Sequence, residues 1–228
     1  MEPKDLMEQL HRLAVVPVIA IESAQDALPM ADALVAGGLP IAEITFRTAA
    51  AAEVIKKLKK ERPSLMLGAG TILTVEQLAQ AKECGAVFGV TPGFNPQVVK
   101  KSVEMKFPLF PGVLTPSEIE QGLSFGLKVL KFFPSEAAGG VNMLKAVSAP
   151  YGHLGVKFVP TGGVSLKNLA DYLGLSQVIA VGGTWIATKD AISATCSCCP
   201  CVDRACATPQ RASAVCQARR GKVRACRK

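Results

Sequence analysis

The most reactive candidate in this sequence is a lysine inside an apolar run. Lys131 lies in the segment Gly126-Leu-Lys-Val-Leu-Lys-Phe-Phe-Pro-Ser-Glu136, with aliphatic or aromatic residues at 129, 130, 132 and 133. Apolar surroundings disfavour the charged form of an amine, and the neutral amine is the form that attacks a ketone carbonyl. Taken alone, the pattern also fits a structural lysine that pairs with an acid at a strand end.

A second set of charges falls on another predicted strand. Alternate side chains of a strand face the same way, so one face carries Ile41, Glu43, Thr45 and Arg47, and the other carries Ala42, Ile44 and Phe46. Charges inside a protein are costly unless they pair or do work. A buried Glu43–Arg47 ion pair that only orders the structure and a pair of working charges both remain open.

Two glycine pairs follow the last two predicted strands. Pro160-Thr-Gly-Gly163 and Val181-Gly-Gly-Thr-Trp185 are the segments concerned. In a (β/α)8 barrel, the loops after strands 7 and 8 form the usual phosphate site. The glycines therefore predict a phosphorylated ligand. A metal-dependent reaction needs a ligand cluster, usually rich in histidine, whereas His11 and His153 have no partner at ligand spacing, which favours an amine-based mechanism without a metal or cofactor.

The elements that must position these residues alternate between strands and helices. Short β-like runs and amphipathic segments follow one another up to about residue 194. The eight predicted strands are 15–20, 41–46, 65–70, 87–90, 108–111, 127–132, 156–159 and 178–181. The predicted helices include 3–13, 24–36, 49–61, 74–83 and 116–123, with Ser23, Thr48, Thr74 and Thr115 near their starts. Eight such units predict an α/β TIM (β/α)8 barrel with an N-terminal helix, and an open parallel sheet is the alternative.

The chain divides into two compositions. Residues 195–228 contain seven of the eight cysteines and eight of the 26 basic residues, with one acid, Asp203. Residues 1–194 are thus nearly neutral and form the predicted barrel domain. The tail lacks the apolar stripe of a last barrel helix, and we interpret it as non-native, from a shifted reading frame, and disordered. Zinc binding by the cysteines and nucleic-acid binding by the basic run are the alternatives for it.

No run of residues approaches the roughly 20 apolar residues that cross a bilayer, and no secretory signal is visible. The expected location is the cytoplasm.

Several segments together resemble one family. The runs Gly38-Leu-Pro-Ile-Ala-Glu43-Ile-Thr-Phe-Arg47 and Gly126–Gly139 look like the two signature motifs of the KDPG/KHG aldolases, which are 2-keto-3-deoxy-6-phosphogluconate and 4-hydroxy-2-oxoglutarate aldolases. Four further segments match in the same order, and the resemblance covers residues 10–190. These segments are Gly68–Thr71, Thr91–Gly93, Pro160–Gly163 and Gly182–Trp185.

The resemblance implies a role for each matching residue. Lys131 would form a Schiff base with the C2 carbonyl of the keto acid, and Glu43 would be the general acid/base, acting through a water. Substrate binding would fall to Arg47, Thr71 and Thr161 at the carboxylate, Pro92 and Phe133 at the pyruvyl unit, and Gly162, Gly163, Gly183 and Thr184 at the phosphate. The family usually has Ser at the position of Thr184, which keeps the hydroxyl.

The implied reaction yields pyruvate and glyceraldehyde 3-phosphate in the Entner–Doudoroff route, and the implied assembly is a homotrimer, with no nucleic-acid or membrane partner. Cleavage of 4-hydroxy-2-oxoglutarate and of the 6-phosphogalactonate epimer remain open as sibling activities. From another class, the alternative is a catalytically silent barrel that binds a phosphosugar.

Overall fold

The computed structural model describes residues 3–192, and they form a ring of parallel strands surrounded by helices. The helices are α1 (Pro3–Leu13), α2 (Ala27–Ala36), α3 (Ala51–Glu61), α4 (Val75–Glu83), α5 (Pro96–Glu104), α6 (Pro116–Ser124), α7 (Gly140–Ser148) and α8 (Leu169–Leu173), with a 3-10 helix at Ala149–Leu154. The strands are β1 (Val15–Ile19), β2 (Ile41–Thr45), β3 (Met66–Gly70), β4 (Phe88–Val90), β5 (Leu109–Phe110), β6 (Gly112–Val113), β7 (Val129–Phe132), β8 (Lys157–Pro160) and β9 (Val181–Gly183).

The strands fall into two arcs. The larger arc has the order β5-β4-β3-β2-β1-β9, the smaller one the order β6-β7-β8, and every ladder pairing is parallel. The predicted fifth strand is split, because residues before Pro111 pair with β4 and residues after it pair with β7. Proline has no backbone N–H to donate to a ladder, and here its carbonyl accepts from the Lys131 N–H at 2.9 Å.

The two arcs meet at two places: at Pro111, between β5 and β6, and between β8 and β9. Isolated parallel bridges link Phe158 to Val178 and Thr161 to Gly182. These bridges, with the continuous chain between β5 and β6, close the ring, so the open-sheet alternative is wrong. The predicted eighth strand, 178–181, lies too early, because Val178 makes only a bridge and the ladder with β1 begins at Val181.

The alternation predicted for β2 is confirmed by its packing. Ile41 is buried with Met66 and Phe88 in one cluster, whereas Ala42 and Ile44 belong to a second cluster with side chains of α2 to α5. The first cluster also takes in three leucines of α1, together with Val15 and Val129, the first residues of β1 and β7. The N-terminal helix is therefore present, as predicted, at the amino ends of the strands.

Two of the four hydroxyl residues near the predicted helix starts form N-caps. Thr74 accepts from the Gln77 N–H at 3.2 Å, and Thr115 forms a reciprocal capping box with Glu118. Ser23 and Thr48 do not cap, because α2 and α3 begin later, at Ala27 and Ala51. Thr48 instead donates to the Ile21 carbonyl at 2.7 Å.

The Cys/Arg-rich segment 195–228 is not among the described residues, so its predicted disorder and its zinc and nucleic-acid alternatives lie outside them.

One helical turn at 189–192 follows β9 and buries Ile192 against the second apolar cluster. Between residues 3 and 192, no helix has the length and apolar character to cross a membrane.

Candidate active site

Lys131 and Glu43 face each other inside the barrel. Both residues are buried, with 6% and 3% of their surfaces exposed, and Lys131 Nζ lies 3.9 Å from Glu43 Oε1. That separation is close enough for strong attraction in a poorly solvated site but too long for a hydrogen bond. Lys131 comes from β7 in the small arc and Glu43 from β2 in the large one. The strand alternation predicted for these two residues is thus confirmed.

The carboxyl group of Glu43 lies in an environment that disfavours its charged form. Burial raises its pKa above the ordinary value, and the positive charges of Lys131 and Arg47 oppose that rise. Its Oε1 atom has no hydrogen-bond partner among the described residues. A carboxyl group with a raised pKa keeps a proton at higher pH than a solvated one, which suits it to exchange protons with a reacting group.

Arg47 lies at the rim of the site rather than on the inner face. The strand ends at Thr45, and Arg47 follows in an exposed turn, where its Nε donates to Thr45 Oγ1 at 3.2 Å. Thr45 Oγ1 in turn donates to the Ile19 carbonyl at 3.0 Å. The structure therefore pairs the buried Glu43 with Lys131 and leaves the guanidinium of Arg47 at the mouth, where an anion can reach it.

Phe133 connects the lysine to the first glycine pair. Lys131 Nζ lies 5.0 Å from the centre of the Phe133 ring. A β-carbon built on Gly162 would lie 3.2 Å from the same ring, so the glycine backbone packs directly against it. Gly162 and Gly163 have φ angles of 94° and 81°, which residues with a side chain rarely adopt. The predicted apolar wall and the predicted phosphate loop are thus neighbours.

The second glycine pair meets the first at the β8–β9 junction. Thr161 bridges to Gly182, and a β-carbon on Gly182 would lie 2.4 Å from Thr161 Oγ1. Gly183 packs its backbone under the Trp185 ring, and Thr184 is exposed at the end of β9. The structure therefore brings together the two loops that were predicted to share a phosphate.

Two predicted binding residues lie at neighbouring strand ends. Thr71 directly follows β3 and has a φ of 57°, and Pro92 follows β4. A non-glycine residue in the left-handed region is strained and is often found at functional sites. Thr71 and Pro92 therefore lie at the carboxyl end of the ring with the other candidates, and their contacts with a substrate remain predictions.

Residues that support the site were harder to find in the sequence. Thr91 is buried after β4, donates to the Gly93 carbonyl at 2.6 Å and accepts from the Gly112 N–H at 3.3 Å. These bonds fix the turn that carries Pro92. In the sequence, Thr91 can be recognised only as a hydroxyl residue at the end of a predicted strand, as Thr45 can. The sequence does not show which groups such a hydroxyl hydrogen-bonds. Among residues 3–192, no three His, Cys, Asp or Glu side chains are grouped as metal ligands would be.

Comparisons with known proteins identify the family of this chain. The family model for KDPG and KHG aldolase matches residues 6–196. The chain is 48% identical over 189 residues to the 2-dehydro-3-deoxy-phosphogluconate aldolase of Haemophilus influenzae, a match that covers 83% of this chain and 88% of that protein.

Solved structures give the same result. The KDPG aldolase of Legionella pneumophila, with pyruvate captured as a covalent carbinolamine, superposes with a TM-score of 0.78 and 36% identity over 94% of this chain and 97% of that one. The 2-keto-3-deoxy-6-phosphogluconate aldolase of Zymomonas mobilis, with 3-phosphoglycerate, gives a TM-score of 0.76 and 40% identity over 84% and 91% of the two chains. On its motifs, its barrel and these matches, the chain belongs to the KDPG/KHG aldolase family.

Proposed function

We propose that the protein is a class I aldolase that cleaves 2-keto-3-deoxy-6-phosphogluconate to pyruvate and glyceraldehyde 3-phosphate, with Lys131 as the Schiff-base residue. The observation that carries this proposal is the buried Lys131–Glu43 pair, with 3.9 Å between Nζ and Oε1, at the carboxyl end of a (β/α)8 barrel. Active sites of this fold lie at that end. The Legionella relative holds pyruvate covalently, which supports the same chemistry here.

The reaction begins with attack of Lys131 Nζ on the C2 carbonyl carbon. The carbinolamine that forms loses its hydroxyl as water, for which Glu43 supplies a proton, and a protonated imine results. Glu43, now a carboxylate, accepts the proton of the C4 hydroxyl through a water. The C3–C4 bond breaks, its electrons move into the imine, and the aldehyde product leaves. Protonation of the enamine at C3 and hydrolysis release pyruvate and free Lys131.

The remaining predicted residues hold the substrate in this scheme. Arg47 binds the carboxylate at the rim with charge-assisted hydrogen bonds, with Thr71 and Thr161 beside it, and Phe133 and Pro92 exclude water from the pyruvyl unit. The phosphate lies at the junction of the two glycine loops, where Gly162, Gly163, Gly183 and Thr184 present backbone N–H groups or a hydroxyl. The support for this placement is the Thr161–Gly182 bridge that joins the loops.

Pyruvate-dependent borohydride trapping tests the proposal. Reduction converts an imine between pyruvate and a lysine into a stable secondary amine, which peptide mass spectrometry locates. We expect the adduct on Lys131, no adduct in Lys131→Ala, and a normal adduct in Lys128→Ala, which removes an exposed lysine three residues away. No adduct on the wild-type protein would favour the silent phosphosugar binder, and an adduct only on another lysine would contradict the assignment of Lys131.

Two further parts of the proposal are a homotrimeric assembly, which the family resemblance implies, and the cytoplasmic location expected from the sequence. A homotrimer would be observed as three times the chain mass by light scattering. A cytoplasmic location would be observed by fractionation of the source cells.

A further inference from the structure

The loop after β7 and the loop after β8 are tied together by their backbones. The Ser135 N–H donates to the Thr161 carbonyl at 2.8 Å, and the Glu136 N–H donates to the Gly162 carbonyl at 3.0 Å. The first loop begins two residues after Lys131, and the second contains the proposed phosphate glycines. Each loop therefore restrains the backbone position of the other.

The side chain of Glu136 also lies against the second glycine of the phosphate loop. A β-carbon built on Gly163 would lie 2.5 Å from Glu136 Cβ and 2.7 Å from its Cγ. Contacts this short require that the Gly163 backbone rests directly on the stem of Glu136. The position of Gly163 therefore depends on where Glu136 is held.

Glu136 is held by a buried tyrosine. The Tyr172 hydroxyl, on α8, donates to Glu136 Oε1 and accepts from Ser135 Oγ at 2.7 Å. Tyr172 and Ser135 have no exposed surface. A β-carbon on Gly140 would lie 3.1 Å from Glu136 Oε1 and 3.5 Å from the Tyr172 hydroxyl oxygen, so the group is packed closely on that side as well.

The tyrosine remains a hydrogen-bond donor at all ordinary pH values. Burial and the hydrogen bond to Glu136 raise the pKa of Tyr172 to about 12, against a smaller opposing effect of the Ser135 hydroxyl. Neither Tyr172 nor Glu136 lies between Lys131 and Glu43, and the reaction as proposed does not use them.

We propose that Tyr172, acting through Glu136 and Ser135, is a positioning residue that sets the Gly162–Gly163 loop relative to Lys131 and thereby favours substrates that carry a phosphate. This inference rests on the proposed function, in which that loop binds the phosphate. The tyrosine hydroxyl touches no substrate atom in this scheme. Its effect is to fix the distance between the amine that attacks C2 and the backbone that holds the far end of the same molecule.

Tyr172→Phe tests the inference because it removes one oxygen atom and keeps the ring. We expect KM for 2-keto-3-deoxy-6-phosphogluconate to rise about tenfold, which corresponds to about 1.4 kcal/mol of lost binding. We expect kcat for that substrate, kcat/KM for the unphosphorylated 4-hydroxy-2-oxoglutarate, and pyruvate trapping at Lys131 to stay within about twofold of wild type. The dissociation constant of inorganic phosphate, measured by calorimetry, should rise with KM.

Two further variants separate positioning from a loss of stability. Tyr151→Phe deletes the same atom from another buried tyrosine. Tyr151 lies on the 3-10 helix and donates to Oε1 of Glu120, on α6, at 2.9 Å. The substitution should leave KM and phosphate affinity unchanged. Glu136→Gln keeps an oxygen that accepts from Tyr172 and should retain wild-type KM, whereas Glu136→Ala should match Tyr172→Phe.

The outcomes distinguish this inference from the proposed function. If Tyr172→Phe lowers only the melting temperature, or lowers kcat for both substrates in proportion while phosphate affinity is unchanged, the positioning role is overturned. If the wild-type protein forms no pyruvate adduct, the proposed function fails by itself. Phosphate calorimetry on the wild type and Tyr172→Phe still decides the positioning role in that case, and equal affinities or no binding to either would overturn it.

Discussion

The carboxyl group of Glu43 occupies the space that a side chain at position 70 would fill. A β-carbon built on Gly70 would lie 2.2 Å from Glu43 Oε1 and 2.8 Å from its Cγ. The two residues lie on adjacent strands, since β2 and β3 are in register with Thr45 opposite Gly70. The orientation of the proposed acid/base group is thus set by the lack of a side chain on its neighbour.

Gly70→Ala should therefore displace the Glu43 carboxyl group from Lys131. General acid–base catalysis is typically worth 10² to 10⁴ in rate, so we expect kcat to fall by at least about tenfold. Overpacking in the barrel should also lower the free energy of unfolding by about 1–3 kcal/mol. Steady-state kinetics and denaturant unfolding measure the two effects.

Gly152→Ala is the matched control for that substitution. Apart from Gly152, its chain neighbours and the backbone of its own helix, no heavy atom lies within 4 Å of a β-carbon built at Gly152, so both the activity and the stability should be retained. Full activity in Gly70→Ala would contradict the dependence of Glu43 on its glycine neighbour.

Glu43→Gln should change how stability depends on pH. The folded-state pKa of Glu43 is raised above its ordinary 4.5, so the folded protein keeps this proton after the unfolded chain has lost it. Glu43 therefore contributes stability below about pH 4.5 that is lost as the pH rises through the raised value. Gln does not ionise, so the unfolding free energy of the variant should increase relative to wild type across that window.

The informative quantity is the change with pH in the difference between the unfolding free energies of variant and wild type. Loss of the partner of Lys131 adds a constant to that difference at every pH. Chemical denaturation at a series of pH values measures it. A constant difference between Glu43→Gln and wild type from pH 4 to pH 8 would mean that Glu43 titrates normally.

Gly182→Ala should strain the junction that closes the barrel. Its new β-carbon would meet Thr161 Oγ1 at 2.4 Å, at one of the bridges between β8 and β9. We expect a loss of about 1–3 kcal/mol in the free energy of unfolding. Thr161→Ala removes the clashing atom, so the double variant should be more stable than the sum of the single effects predicts. Additive effects would place the strain elsewhere.

Thr115→Ala should destabilise the protein without changing its chemistry. The substitution removes the capping box of α6, and loss of an N-cap typically costs about 1 kcal/mol. Thr115→Ser keeps the hydroxyl and should be close to wild type. Thermal unfolding measures the stability, and pyruvate trapping measures the chemistry. An equal loss of stability in Thr115→Ala and Thr115→Ser would show that the hydroxyl is not the stabilising group.

A chain shortened after residue 194 should still form the pyruvate adduct. Every residue in the proposed site, from Glu43 to Thr184, precedes the cysteine-rich segment. Trapping at Lys131 and its resistance to chelators should therefore match the full chain. Loss of the adduct in the shortened protein, with its fold retained by circular dichroism, would show that the segment contributes to the site.

Much of the fold was predictable because strands and helices leave local patterns. The alternation around Glu43 and Lys131 correctly gave their common inward direction, and Thr74 and Thr115 marked true helix starts. The split of the fifth strand was not predicted. The partner change at Pro111 depends on which strands lie on either side of it, and a single run of residues carries no such information.

The supporting residues of the site were less predictable for the same reason. Tyr172 lies 37 residues from Ser135 along the chain, and nothing in the short α8 segment indicates what its hydroxyl contacts. The inner-face pattern also failed for Arg47, since periodicity holds only while the strand continues and β2 ends at Thr45. Contacts between distant segments appear only once the ring is closed.

The division of the strands into two arcs has a consequence for how this protein acquires its reactivity. Lys131 belongs to the small arc and Glu43 to the large one, so neither arc alone contains both halves of the chemistry. Formation of the imine, which needs both residues, is then a property of the finished ring. The rate at which pyruvate is trapped during refolding would therefore measure how fast the two arcs pair to close the ring.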